Sequence, residues 1–285
     1  MKPSLLQLIE QRYVKTDLKL PLAPASWIRS SQYPKLCVRE ELLCASLLRE
    51  RSERFDAEKL LTFVQGTGLH YAFQSHVLPT LGDVLVGSWR CTHCGAMAGG
   101  ENPMDFATYR PCPPNPHCKL DAPWEYHELS FRKEKDEAGL LRLTGHPDGF
   151  LRFGEGIPLT ILELKSISPR GFRVIQKGPY DEHVTQVHLY FLLTGLRNAL
   201  IVYWNKAEKG IAAFKEHHLA CNDARLASIR STLNSLWTGL AAPADGQGER
   251  VCDSQYAYRA ASCVVGRECW SCAESDPNED FYVRR

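Results

Sequence analysis

Three side chains near the middle of this 285-residue chain have the types and spacing for phosphoryl chemistry. Asp148 stands in Gly145-His146-Pro147-Asp148-Gly149, and Glu163 follows fifteen residues later in Glu163-Leu164-Lys165. On a strand, alternate residues share a face, so Glu163 and Lys165 point together while Leu164 points away. Asp148, at the end of the preceding strand, can reach that face. Magnesium or manganese prefers oxygen ligands and needs only one or two carboxylates plus a substrate phosphate. Asp148, Glu163 and the backbone carbonyl of Leu164 would supply such ligands. The cation would stabilise charge developing on phosphorus and lower the pKa of water. Lys165 would orient that water or offset the charge. Each piece alone has a plainer reading: Pro-Asp-Gly is turn chemistry, and Glu-x-Lys is a common strand-edge ion pair.

The elements that must position these residues can be read from pattern. Residues 124–133 alternate, residues 139–144 form a second strand, and residues 158–167 form a third. The near-continuous apolar run of the third suits a central strand covered on both faces. Residues 181–194 read as a helix that Gly195 ends as a C-cap. A strand over 198–204, a paired strand over 210–216 and a helix over 222–240 follow. Before the site, a short helix covers 4–13, a leucine-rich helix covers 39–53, and Asp56 caps a helix running to about residue 78. The order helix, three strands, helix, strand predicts an α/β fold, a mixed sheet flanked by helices.

Composition sets limits. Hydrophobic content of 44% and charged content of 24% suit a soluble globular protein. A net charge of +1 excludes a global basic field and leaves any nucleic-acid contact to a local patch. No apolar run reaches the roughly 18 residues of a membrane span, and the first residues lack a secretory core. A cytoplasmic location follows as the expectation. Eleven cysteines are then unusual, since clustered thiols in a reducing compartment are more often metal ligands than disulfides.

Four of these thiols fall in a segment, 87–123, that is poor in hydrophobic periodicity. Cys91-Thr92-His93-Cys94-Gly95 is a thiolate knuckle, and Cys112 with Cys118 completes a four-cysteine zinc site. His117 could replace Cys118. A metal staple would hold such an insertion together.

Two further elements narrow the chemistry. Gln186 and Tyr190 are four residues apart on a helix and share a face. His70 lies late in an earlier helix. The set His70, Asp148, Glu163-Leu164-Lys165 and Gln186-x-x-x-Tyr190, in this order, resembles the RecB-type branch of the PD-(D/E)XK nuclease superfamily over roughly residues 26–272. That branch includes CRISPR adaptation nucleases, the nuclease domains of recombination helicases and many phage exonucleases. The resemblance implies a restriction-endonuclease-like αβββαβ core. It implies His70, Asp148 and Glu163 as metal ligands, Lys165 as catalytic, and Gln186 and Tyr190 as substrate-side residues at the site.

Many such nucleases carry a [4Fe-4S] cluster that clasps the two chain ends, with one cysteine early and three late. Cys37, in Tyr33-Pro34-Lys35-Leu36-Cys37-Val38-Arg39, fits the first position, though Val38 stands where the family has proline. Three of Cys252, Cys263, Cys269 and Cys272 would complete the set; a zinc site or free thiols are the alternatives. Cys44 and Cys221 read as buried apolar residues. Just after the third strand, Arg170, Phe172, Arg173 and Lys177 form a segment suited to phosphate contact and base stacking, or else a solvated loop.

The expected organisation is an N-terminal helical segment (1–55), a nuclease core (56–86 and 124–240), a zinc-knuckle insertion (87–123) and a cysteine-rich tail (241–285). The expected activity is a divalent-metal-dependent DNA exonuclease acting on single-stranded DNA or DNA ends, with recombination or replication proteins as candidate partners and no membrane. Alternatives are a structure-specific or CRISPR-adaptation-like endonuclease, and an idle DNA-binding scaffold.

Overall fold

The structure is a computed structural model that describes residues 17–20, 27–47, 51–54, 57–100, 103, 106–108, 118, 124–241, 251–252, 263, 265 and 269. In chain order the elements are β1 (Asp17–Leu20), β2 (Ile28–Arg29), α1 (Val38–Ser46), β3 (Arg51–Arg54), α2 (Ala57–Ala72), β4 (Leu85–Cys91), β5 (Met97–Ala98), β6 (Ala107–Thr108), β7 (Trp124–His127), β8 (Phe131–Asp136), β9 (Gly139–Gly145), β10 (Gly149–Leu151), β11 (Thr160–Ile167), α3 (Pro169–Val174), α4 (Asp181–Thr194), β12 (Asn198–Asn205), β13 (Phe214–Ala220) and α5 (Asp223–Ala241).

An eight-stranded sheet runs β13-β12-β11-β10-β4-β5, with β6 and β7 also paired to β4. A second sheet runs β2-β9-β8, and β1 pairs with β3. Only helical crossovers join parallel neighbours in a compact way, and α3 and α4 provide the crossover that sets β12 parallel to β11. The alternation within β11 then splits its side chains between two cores. Ile161 and Ile167, with Ile201 and Tyr203 of β12, pack on Val187, Tyr190 and Phe191 of α4 and on Ile229 and Leu233 of α5. Leu162 and Leu164, with Leu200 and Val202, join Leu85 and Trp89 of β4 on the opposite face, where Phe73 just after α2 also packs. Glu163 and Lys165 belong to the α4 face by the same alternation.

Helix α4 ends where expected. Gly195 takes φ 75° and donates its N–H to the Phe191 carbonyl, a left-handed cap that glycine adopts without a Cβ penalty.

Several elements depart from expectation. The leucine-rich helix stops at Ser46, and residues 51–54 are the strand β3. The alternating segment 124–133 is two strands, β7 and the start of β8, in different sheets. Residues 210–213 open with a short 3-10 turn, so β13 begins at Phe214. The expected insertion boundary at residue 87 falls inside β4. Gly87 and Ser88 interrupt the apolar run in the sequence, yet Val86 pairs with Phe150 and Trp89 is fully buried. Gly87 is needed for close approach, because a Cβ there would lie 2.8 Å from the Tyr126 ring and hydroxyl. The expected helix over 4–13, Cys112, Cys272 and most of the 241–285 tail lie outside the described residues.

Candidate active site

The main sheet comes apart beside Asp148, and that opening forms the site. Strand β10 pairs with β11 only as far as Gly149 opposite Leu162. Beyond it the backbone N–H of Leu164 is taken by the Asp148 carboxylate, Oδ2, at 2.7 Å. Residues 146–148 carry the chain from β9 in the small sheet to β10 in the main one. The aspartate therefore sits on the connection between sheets, not in a closed turn. Within a strand, a residue's N–H and C=O point to the same side, so the Leu164 carbonyl faces this open edge too.

His70, in the last turn of α2, brings Nδ1 to 3.2 Å from the other carboxylate oxygen, Asp148 Oδ1. That hydrogen bond, with the Asp148 charge behind it, raises the histidine pKa against the effect of burial. Nε2 is the ring nitrogen left to act as a ligand.

Glu163 and Lys165 meet as the strand period requires: Lys165 Nζ lies 2.6 Å from Glu163 Oε1. The pair is almost enclosed, with side-chain exposure of 3% for Glu163 and 20% for Lys165. Burial, aided by the nearby Asp148 charge, pushes the Glu163 carboxyl up to about 7. Burial works against the Lys165 ammonium, yet Glu163 and Asp148 outweigh it and hold the lysine above its ordinary value. The pair thus favours a charged lysine, while burial works against the charged glutamate.

A hydrogen-bond chain anchors the lysine from behind. Lys165 Nζ donates to Gln186 Oε1 (2.9 Å), Gln186 Nε2 donates to the Tyr190 hydroxyl (2.7 Å), and that hydroxyl donates to the His146 carbonyl (3.1 Å). Gln186 and Tyr190 are both buried, 7% and 2% exposed, and support the site from its interior. The chain ends two residues before Asp148 and so ties lysine and aspartate together. Gly145 permits this approach, since a Cβ there would lie 2.8 Å from Ser30 Oγ and 2.9 Å from Tyr190 Cε1.

The donor set suits a hard divalent cation. Glu163 Oε2 is buried and has no hydrogen-bond partner among the described residues, an expensive state for a carboxylate oxygen that a cation would relieve. Carboxylate and carbonyl oxygens with one imidazole match magnesium or manganese. His70, Asp148 and Glu163 are brought to one site, although their ligand atoms do not all lie within 4.8 Å of one another.

Two neighbours escaped the motif reading. Glu128 lies against this site: burial and the Asp148 charge raise its pKa, while His146 and His70 pull the other way. The signal was there in the β8–β9 register, which pairs Phe131 with Gly145; continued by three residues, it sets position 128 opposite 148. His183 precedes Gln186 by three residues on α4. Burial and the Lys165 charge lower its pKa to about 3, and its Nδ1 lies 2.8 Å from the Tyr203 hydroxyl.

The expected DNA-contact segment is not a loop. Residues 169–174 form α3, N-capped by the Ser168 hydroxyl, which accepts the Gly171 N–H. Arg170, Arg173 and Lys177 are exposed. Phe172 instead packs against the main core, which removes its ring as a stacking surface.

The cysteines form two groups. Cys91, Cys94 and Cys118 place their sulfurs within 4.8 Å of one another. Far from them, Cys269 packs with Leu43, Cys44 and Val265, and Cys263 lies against that cluster. Burial pushes the Cys263 thiol up to about 12, with Glu40, Cys37 and Cys269 close enough to add to the shift. The structure thus brings Cys37, Cys263 and Cys269 to one place, and Cys44 is their neighbour.

No family model and no curated protein matches this chain. Among solved structures it is similar to an alkaline exonuclease, LHK-Exo, from Laribacter hongkongensis, at 12% identity over 82% of this chain and 92% of that one, with a TM-score of 0.45. LHK-Exo in complex with dAMP matches at 13% identity over 76% and 89%, TM-score 0.45. SSO0001 matches at 13% identity over 93% and 94%, TM-score 0.43. Likeness of this extent leaves activity to be argued from the side chains. Among the described residues, no helix is long and apolar enough to cross a membrane.

Proposed function

We propose that this protein is a divalent-metal-dependent deoxyribonuclease of the PD-(D/E)XK type, with a RecB-like site, that degrades DNA from its ends. The observation that carries the reading is the convergence of Asp148, Glu163 and Lys165 at the open edge of β11, with the lysine locked by Gln186 and Tyr190. Asp148, Glu163, the Leu164 carbonyl and His70 Nε2 would hold the cation, magnesium or manganese. When bound, it would supply charge to the developing phosphoryl oxyanion and lower the pKa of water.

The chain's own residues have distinct tasks. The Lys165 ammonium has three N–H groups; Glu163 and Gln186 take two, and the third is available to a scissile phosphate oxygen. Charge-assisted bonds of this kind, fixed before substrate arrives, stabilise a transition state without reorganisation cost. Tyr190 fixes the amide of Gln186, so the lysine has one position. Arg170, Arg173 and Lys177 offer an exposed basic approach for the phosphate backbone. Cys37, Cys263 and Cys269, with Cys252 or Cys272, would hold a [4Fe-4S] cluster joining the chain ends, and visible absorbance of anaerobically purified protein reports it. DNA is the substrate, and recombination or replication proteins are the partners this activity would serve.

The test is digestion of end-labelled single- and double-stranded DNA with Mg2+ or Mn2+, beside closed circular single strands. Cleavage of linear DNA that is lost in Asp148→Ala and Lys165→Met, with circular dichroism unchanged, supports the reading. Cutting of circles would replace it with an endonuclease, and no cleavage of any DNA would leave a binding scaffold.

A further inference from the structure

The geometry points to a structural zinc site at the far end of β4, built from Cys91, Cys94 and Cys118, that clasps the long excursion between β4 and β7. Three sulfurs from two separate chain segments lie within 4.8 Å of one another, and Cys91 Sγ is 3.4 Å from Cys118 Sγ. Cys91 is the last residue of β4 and is 1% exposed; Cys94 and Cys118 pack against the same apolar cluster as Trp89 and Trp124.

The backbone around Cys91 is shaped to hold a thiolate. Its N–H donates to the Ala96 carbonyl at 2.9 Å, and its carbonyl accepts the Gly95 N–H at 2.9 Å, closing a tight knuckle. Gly95 turns that knuckle at φ 72°. The N–H groups of Cys94 and His93 point at the Cys91 sulfur, beside the Cys118 and Cys94 thiols. A sulfur-only set of this compactness selects zinc over magnesium or manganese. The site therefore differs in chemistry and place from the carboxylate centre at β11.

The location assigns its role. Cys91 pairs in register with Trp124 at the start of β7, and Cys118 lies six residues before it. Zinc across these thiols would tie both ends of the excursion to one point on β4. Strand β7 carries Tyr126, whose ring meets Trp89 edge-on at 5.3 Å and whose hydroxyl is held above its ordinary pKa by burial and, after it, by the Asp148 charge.

The test is metal analysis of the full chain purified without added metal. Near-stoichiometric zinc, lost in Cys94→Ser and in Cys118→Ser but kept in Asp148→Ala and Cys263→Ser, supports the site. Because the serine variants can lose zinc merely by failing to fold, the intact protein is also exchanged with Co2+; thiolate-to-cobalt charge-transfer bands and tetrahedral ligand-field bands are expected. Absence of zinc, zinc retained in both serine variants, or a Cys91–Cys118 disulfide in the purified protein would overturn the proposal. None of these readings depends on nuclease activity.

Discussion

The two ends of the β11–β10–β4 run handle buried reactive groups in opposite ways. At β11, charges compensate one another: Glu163 faces Lys165, Lys165 faces Gln186, and Asp148 is shared between His70 and a backbone N–H. At the end of β4, three groups of one kind face each other with backbone N–H donors as their support. The first arrangement is assembled by the fold itself, because unlike partners attract. The second gathers like groups, which the proposed zinc would hold together. The difference teaches where each region would be fragile: the first to loss of one side chain, the second to loss of the proposed metal.

The sharpest way to break this contrast is at Lys165. Lys165→Met should reduce cleavage by about 10²–10³-fold, the scale for removing one preorganised charged donor. It should also lower the melting temperature, because Glu163 is left buried without its ion-pair partner. Cleavage kinetics with a thermal melt check both, and an unchanged rate would remove Lys165 from the mechanism.

A smaller effect is expected from the end of the hydrogen-bond chain. Tyr190→Phe leaves Gln186 Nε2 and the His146 carbonyl unpaired, at a cost of about 1–3 kcal/mol by chemical denaturation. The rate should fall by roughly tenfold through a loosened lysine, with KM unchanged. A change in KM alone would mean that Tyr190 meets substrate after all.

Next is the pH response of the carboxylate centre. The folded Glu163 value, about 7, lies above that of an unfolded glutamate, so the metal-free protein binds a proton that the unfolded chain has lost. The stability from that proton is complete below the unfolded value and is lost as pH rises through the folded one. A divalent cation needs the ionised form. The melting-temperature gain from Mg2+ should therefore be small near pH ~5 and largest near pH ~8. Equal gains at both would place the cation elsewhere. The thiol site should answer instead to a strong chelator, by a fall in melting temperature that added Mg2+ does not reverse.

The smallest effect concerns Glu128. Glu128→Gln should raise the Mg2+ concentration for half-maximal cleavage only modestly and leave cleavage measurable, as a neighbour of the site and not one of its ligands. A loss as large as that of Asp148→Ala would make it a ligand.

Much of the centre was legible because its spacings are local. Glu163 and Lys165 follow the strand period, Gln186 and Tyr190 follow the helix period, and each period alone sets a shared face. His70 and Asp148 are 78 residues apart, and no period links them; only the resemblance placed them together. Glu128 depended on the register of a hairpin, which pattern alone does not give. Phe172 reads as a stacking residue from its place among Arg170, Arg173 and Lys177, whereas the Ser168 cap starts a helix in which the ring is partly buried against the main core. Strand β4 was hidden because Gly87 and Ser88 serve packing against Tyr126 and not periodicity. The thiol knuckle was readable from Cys-x-x-Cys-Gly, but its anchoring at the end of a core strand was not.

The step from β9 to β10 has a mechanical meaning. Residues 146–148 link the small sheet to the main one, and Asp148 rides on that link while Glu163 stays with β11. Any rocking between sheets would open or close the jaw formed by the two carboxylates. The Tyr190 hydroxyl on the His146 carbonyl is the strut that resists it, which makes a buried tyrosine on α4 the stiffener of a centre it never touches.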